Sequence, residues 1–328
     1  MMHTMSRLRS VLSGLALSAS ACLAAAPVAQ AQTYPDRPIH VIVGFPAGAG
    51  ADILSRYFAH KLEEVSKQPV IVDNKPGANA NIALRFVGNS KPDGYTILFI
   101  ANSNMAGSRF LFKELPFDTL TDFMPTATFA EIAFTVVVSP KSKVNTIAEL
   151  VAKLKSKKDN LFGYSNQVGL LSGELFKQLT GVEAKGVAYK NGPDTMRDVT
   201  DETLDYTILD GTFASGQVRQ GALKALAVTT STRSESFPGV PTMTEAGIAD
   251  FNFVPWWCAY VPKGTPQPIV DQIEAYMHQI NKMPETPKFL ETVGSLPLDL
   301  GQKDADARLR NELPRWEKLV KAAGIEPQ

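Results

Sequence analysis

Residues 39–50 constrain the fold more than any other part of this chain. The run Ile39 to Val43, β-branched at every position but His40, has the composition of a buried strand. Gly44, Pro46, Gly48 and Gly50 cannot extend that strand, and helical spacing resumes with Ile53, Leu54, Tyr57, Phe58 and Leu62, predicted to share one face. Strand, glycine-rich turn and helix start in direct succession place free backbone N–H groups and the positive end of a helix at one sheet edge. Such an edge suits an anion.

The same order then repeats. Pro69 to Asn74 reads as a second buried strand, Asn79 to Asn89 as a helix, and Tyr95 to Ile100 as a strand after the turn Lys91 to Gly94. Alternation of this kind predicts a parallel sheet. Its third strand runs into Ala101, Asn102, Ser103 and Asn104, at the edge where a parallel sheet puts its ligand. Leu115 to Asp118 and Asp122 to Pro125 read as turn-rich.

A second α/β series follows. It comprises strand Phe134 to Ser139, a capping box Thr146 to Glu149 opening a helix through Lys157, and strand Leu161 to Tyr164. The polar loop Ser165, Asn166 and Gln167 leads to a helix over Leu170 to Leu179. Strand Gly186 to Ala188 ends at Tyr189 and Lys190, helix Asp194 to Thr200 follows, and strand Thr203 to Leu209 ends at Asp210. Ala222 to Thr229 is a further strand. The apolar segment Phe251 to Val261 reads as a link between lobes, and helices over 266–282, 285–293 and 304–323 close the chain. The predicted organisation is a lobe over 32–131, a second lobe over 132–252, and a return of 253–328 to the first.

Arg7 and Arg9, the uncharged run Val11 to Ala26 and the small residues Ala29 and Ala31 predict a signal peptide over 1–31 and a periplasmic chain starting at Gln32. The run is short of the ~20 residues a membrane span needs, and Cys22 leaves a lipoprotein alternative. Without that segment Cys258 stands alone, so no intrachain disulfide is expected. Basic and acidic residues number 33 each, which gives no reason to expect nucleic acid or an anionic membrane as a partner. Gly44, Gly48, Gly50 and Asp73 imitate a dinucleotide fingerprint, but Ile53 stands where its third glycine belongs. His3, His40, His60 and His278 have no partner at metal-ligand spacing. No Gly-x-Ser-x-Gly occurs, and the pairs Glu63 with Glu64 and Asp201 with Glu202 lie on polar stretches. We therefore expect no catalytic residue, metal or cofactor.

An ordered set of motifs carries a resemblance. Tyr34 to Ile39, Gly44 to Gly48, Asp73 to Ala78, Pro92 to Thr96, Gly173 to Phe176, Tyr189 with Lys190, Leu223 to Thr229, Val240 to Thr242, Glu245 to Gly247, Gly264 to Pro266, and Trp316 with Val320 to Ile325 run through the mature chain. Together they resemble the solute-binding proteins of tripartite tricarboxylate transporters, the Bug group. The resemblance implies an α/β type II periplasmic binding protein: a monomer whose two lobes close on a small carboxylate and hand it to membrane permease subunits. One carboxylate would be held by the backbone of the first loop and by ordered water. The candidate ligand-binding residues are Phe45, Pro46, Ala47, Gly48, Gly50, Ala51 and Asp52 in that loop, with Asn102 and Ser103 beside it. Ser165, Asn166, Gln167, Gly169, Leu170, Tyr189, Lys190, Asp210 and Trp256 complete the set. This chain departs from the family pattern at Ala47, usually proline, at Ala51, usually a small hydroxyl residue, and at Leu209 with Asp210, often an Asp-Asn pair. Gln167 to Leu171 likewise replaces a hydroxyl–hydroxyl–x–His-like stretch. Val168, Leu170 and Leu171, with Phe134, Trp256 and Trp257, predict an apolar wall. A carboxylate with an apolar body is then favoured over citrate, an aromatic acid such as terephthalate first and an adipate-length chain second. A sensor subunit and an exported hydrolase are the competing functions.

Overall fold

The first sheet grows from Ile39–Val43 (β1), which pairs in parallel with Val70–Asn74 (β2) on one side and Thr96–Ala101 (β3) on the other. A computed structural model describes residues 34–251 and 253–327; the expected signal peptide, with Cys22, lies outside them. Arg37–Gln328 form one compact unit. Helix Gly50–Ser66 (α1) follows β1 and buries Leu54, Phe58 and Leu62 at four-residue spacing. Ile53, expected on that face, is 43 % exposed, because it lies one residue, about 100°, around the helix from the buried stripe. β2 is not the buried strand expected. It has a neighbour on one side only, and Ile71 is 44 % exposed. Helix Asn81–Gly88 (α2) starts two residues later than expected, since Ala78, Asn79 and Ala80 all have left-handed backbone.

Three strands were not legible as strands, the third being the short edge strand Ser295–Pro297. Phe123–Ile132 (β4) takes in Phe123 to Pro125 of the stretch read as a turn, and Trp256–Pro262 (β10) lies almost wholly in the segment read as a link. β10 runs antiparallel between β3 and β4 in the middle of the sheet, and every one of its residues is buried. With both faces covered, a strand shows no alternation to read. Ser295–Pro297 (β11) adds an edge, giving the order β11-β4-β10-β3-β1-β2.

The second sheet comprises Phe134–Val138 (β5), Leu161–Tyr164 (β6), Lys185–Ala188 (β7), Tyr206–Asp210 (β8) and Lys224–Val228 (β9), in the order β7-β6-β8-β5-β9. β8 begins later than the expected Thr203. Its core includes Val137, Leu204, Val228 and Phe237. Five more helices connect strands of the two sheets: Asn102–Leu111 (α3), Ile147–Ser156 (α4), Gln167–Thr180 (α5), Gly192–Thr200 (α6) and Gly211–Arg219 (α7). Thr146 caps α4 as expected, accepting from the Glu149 N–H. α5 begins at Gln167 rather than Leu170, because Asn166 is its N-cap. Helices Gln267–Asn281 (α8), Glu285–Thr292 (α9) and Gln302–Ala322 (α10) end the chain, α8 and α10 packing on β4.

The chain passes from the first sheet to the second between Ile132 and Phe134 and returns between Val228 and Trp256. Backbone bonds tie the crossing together: Ile132 N–H to Pro255 O at 2.9 Å, Ala133 N–H to Gly294 O at 3.2 Å, and Gly211 N–H to Ala133 O at 2.6 Å. No described helix is long and apolar enough to cross a membrane.

Candidate functional site

Five helices begin on one cavity of 560 Å³. Their N-cap residues Ala49, Ala101, Asn166, Asn191 and Asp210 all line it. A helix start carries unbonded N–H groups and a partial positive charge, so what happens at each cap decides what the cavity offers a ligand. On the side of the second sheet, each cap side chain consumes a donor of its own helix. Asn166 accepts from Gly169 N–H at 2.8 Å, Asn191 from Asp194 N–H at 2.9 Å, and Asp210 from Phe213 N–H at 3.0 Å. On the side of the first sheet both caps are alanine, and no side chain caps α1 or α3. Among the described residues the N–H groups of Gly50 and Ala51 have no acceptor. The unspent positive potential therefore sits at the starts of α1 and α3.

The glycine-rich loop is held in shape from behind. The Asp52 carboxylate, buried, accepts from Gly48 N–H at 2.8 Å, Arg56 Nε at 2.9 Å and Asn74 Nδ2 at 2.8 Å. Asn74 Nδ2 also donates to Phe45 O at 3.0 Å. Desolvation raises the Asp52 pKa, but the donors from Arg56, Gly48 and Asn74 outweigh it and hold the carboxyl below the usual carboxylate range. Asp52 thus braces the loop and does not line the cavity, a correction to its expected role. Gly48 turns the loop with φ of 80°, a region other residues avoid.

Phe45, Ile132, Phe134, Val168, Phe213 and Trp257 supply an apolar wall, with the Phe45 and Trp257 rings 5.8 Å apart. Of the expected residues, Phe45, Pro46, Gly48, Gly50, Ala51, Ser103, Ser165, Asn166, Gln167, Lys190 and Asp210 line the cavity, Lys190 being exposed. Others do not. Successive strand residues face opposite ways, so Trp257 reaches the cavity while Trp256 turns away and donates from Nε1 to Glu312 at 2.9 Å. Asn102 is occupied with the same group. It accepts from Trp256 N–H at 3.0 Å and donates to Glu312 at 2.6 Å. The Tyr189 hydroxyl donates to Asp198 at 2.7 Å, and burial together with that carboxylate pushes its pKa up to about 12. Ala47, Gly169 and Leu170 also lie off the cavity, and Leu171 is fully buried, so of the six expected wall residues Val168, Phe134 and Trp257 line it.

Asn79, Asn191, Pro193 and Thr212 line the cavity without a sequence expectation, and Asn104, placed at the ligand edge of the sheet by the sequence, lines it as well. Asn191 two residues before Pro193 is an N-cap signature that the sequence carries; Asn79 has no such signal. Asp210 is desolvated, which raises its pKa above the usual carboxylate value. Trp257 Nε1 and Asn104 Oδ1 are buried without a protein partner, and such orphans are commonly satisfied by water or a ligand. Among the described residues no group of three or more His, Cys, Asp or Glu could hold a metal.

Residues 54–325 match the family described as tripartite tricarboxylate transporter family receptor. A UPF0065 protein of Bordetella bronchiseptica is 32 % identical over 92 % of this chain and 90 % of its own. Protein BugT of Bordetella pertussis is 30 % identical over 92 % and 94 %. Among solved structures, Rpa4515 of R. palustris with adipate is 30 % identical, with a TM-score of 0.82 over 90 % of this chain and 100 % of that one.

Proposed function

The chain belongs to the tripartite tricarboxylate transporter receptor family, and from that premise we propose that it captures a small carboxylate with an apolar body in the periplasm and delivers it to membrane permease subunits. The observation that carries this reading is the pairing of two uncapped helix starts with an apolar wall in one cavity. A carboxylate sits at the starts of α1 and α3, where backbone N–H groups and helix dipoles replace water. Arg56, in the second turn of α1, is engaged by Asp52 and Asn74. The body of the ligand lies on Phe45, Val168 and Trp257, gaining about 25 cal/mol for each Å² removed from water. Trp257 Nε1 and Asn104 Oδ1 offer it a donor and an acceptor. Residues 34–131 and 253–327 form one lobe and 132–251 the other, and the tied crossing at Ala133 acts as the hinge.

Adipate, bound by the relative Rpa4515, and terephthalate both suit a carboxylate end with an apolar body. Citrate brings extra polar groups that such a wall leaves unpaired, at roughly 1–3 kcal/mol each. Titration calorimetry with terephthalate, adipate and citrate tests this. Terephthalate or adipate should bind more tightly than citrate. Tightest binding of citrate refutes the apolar-wall reading.

A further inference from the structure

We propose that Gln167 is a latch that crosses the cavity, holds the two sides closed and bounds the ligand in that direction. The inference rests on the binding reading above, but it is carried by different residues. Gln167 opens α5 on the side of the second sheet, and its side-chain amide reaches the side of the first. Its Oε1 accepts from Asn79 Nδ2 at 2.7 Å, and its Nε2 donates to Ser103 O at 3.4 Å. Gln167, Asn79 and Ser103 all line the cavity, so the same contacts form part of its wall.

Two features separate a latch from a chance surface contact. The first is Gly107, inside α3. A β-carbon built there would lie 1.7 Å from the Gln167 amide nitrogen. Glycine weakens a helix interior relative to alanine, and here its missing side chain is the seat of the Gln167 amide. The second is the backbone beneath Asn79. Ala78, Asn79 and Ala80 have φ of 46°, 53° and 68°, three successive non-glycine residues in a region that side chains disfavour. Such conformations persist where surrounding contacts over-determine them. Asn104 Nδ2 holds the Asn79 carbonyl at 3.1 Å from within the first side, and Gln167 holds the Asn79 side chain from across the cavity. A further close approach accompanies the latch: a β-carbon on Gly50 would lie 2.9 Å from the Thr212 side chain. Closure therefore brings together a strained turn, a glycine seat and one glutamine.

The test measures interlobe distance in the full chain by single-molecule fluorescence transfer. Labels go on cysteines replacing the exposed Lys91 and Lys158, with Cys22 replaced by serine, while Cys258 is buried. The wild type, Gly107→Ala, Gln167→Ala and the double variant are compared in buffer and with saturating adipate as the probe. Wild type should populate a short-distance state. Each single variant should lower the ratio of closed to open forms about tenfold, since each interlobe hydrogen bond multiplies an equilibrium by roughly two to twelve. The double variant should be no worse than either single, because both act on one contact. An unchanged ratio in Gln167→Ala, or in Gly107→Ala with a wild-type melting temperature, overturns the proposal. So do additive effects, or a wild type without a short-distance state in either condition. If adipate moves no distribution while the variants still shift the one in buffer, adipate is the wrong ligand and the latch stands.

Discussion

Replacing Asp52 by asparagine should loosen the glycine-rich loop at the level of a whole buried network. The carboxylate is buried and receives three donors, Gly48 N–H and Arg56 Nε on one oxygen and Asn74 Nδ2 on the other. An asparagine side chain keeps the volume but turns one of those oxygens into a donor. Placed toward Asn74, that donor meets another donor. Asn74 cannot flip freely, because its Nδ2 also holds Phe45 O and its Oδ1 accepts from Arg56. Placed toward Gly48 and Arg56, it loses two bonds at once. A lost bond to a charged group costs about 1.5–3 kcal/mol, so the cheaper orientation should cost about 2 kcal/mol. At roughly 2–4 °C per kcal/mol for a chain of this size, the melting temperature should fall by about 4–8 °C. The pH dependence has a definite sign. The Asp52 carboxyl is held below its ordinary value, so its contribution is complete above an unfolded pKa of about 3.9. It is lost as pH falls through the lower, folded value. Thermal melts of wild type and Asp52→Asn across pH should therefore show a constant gap at neutral pH that narrows at the acid end. A gap below about 1 °C at pH 7 would show that the carboxylate does not brace the loop.

Asp210→Asn keeps an N-cap for α7 and removes a desolvated charge from the cavity. Carboxylate binding should tighten about fivefold by calorimetry, from on the order of 1 kcal/mol of relieved repulsion. The same group carries a pH signature of its own. Its carboxyl is raised, so its ionisation costs stability above the unfolded value, and binding should strengthen as acidification neutralises it; a flat profile counts against this. Phe45→Leu removes a ring that stands 5.8 Å from Trp257 and should weaken terephthalate by about 0.5–1.5 kcal/mol more than adipate. Equal losses would mean that the ring is not stacking on the ligand. Thr146→Ala, far from the cavity, should cost about 1 kcal/mol of stability with unchanged affinity.

The elements legible in the sequence were those whose signal is local. Alternation of β-branched runs with turns and helical spacing marked β1, β3, β5 and β6 and the closing helices, since each depends on a few neighbouring residues. Thr146 declared its cap for the same reason, and the glycine-rich loop declared a helix start at a sheet edge. The ordered motifs gave the family. Tertiary packing decided the rest. Trp256 and Trp257 are chemically identical neighbours, and only the register of β10 between β3 and β4 sends one to the cavity and the other to Glu312. Asp52 is a polar residue beside a glycine-rich loop in sequence, and its role as a brace depends on Asn74, twenty-two residues away. Asn79 and Gly107 carry no pattern at all. Their meaning arises when α5 brings Gln167 across to them, a contact between residues separated by sixty positions or more that local propensity cannot encode.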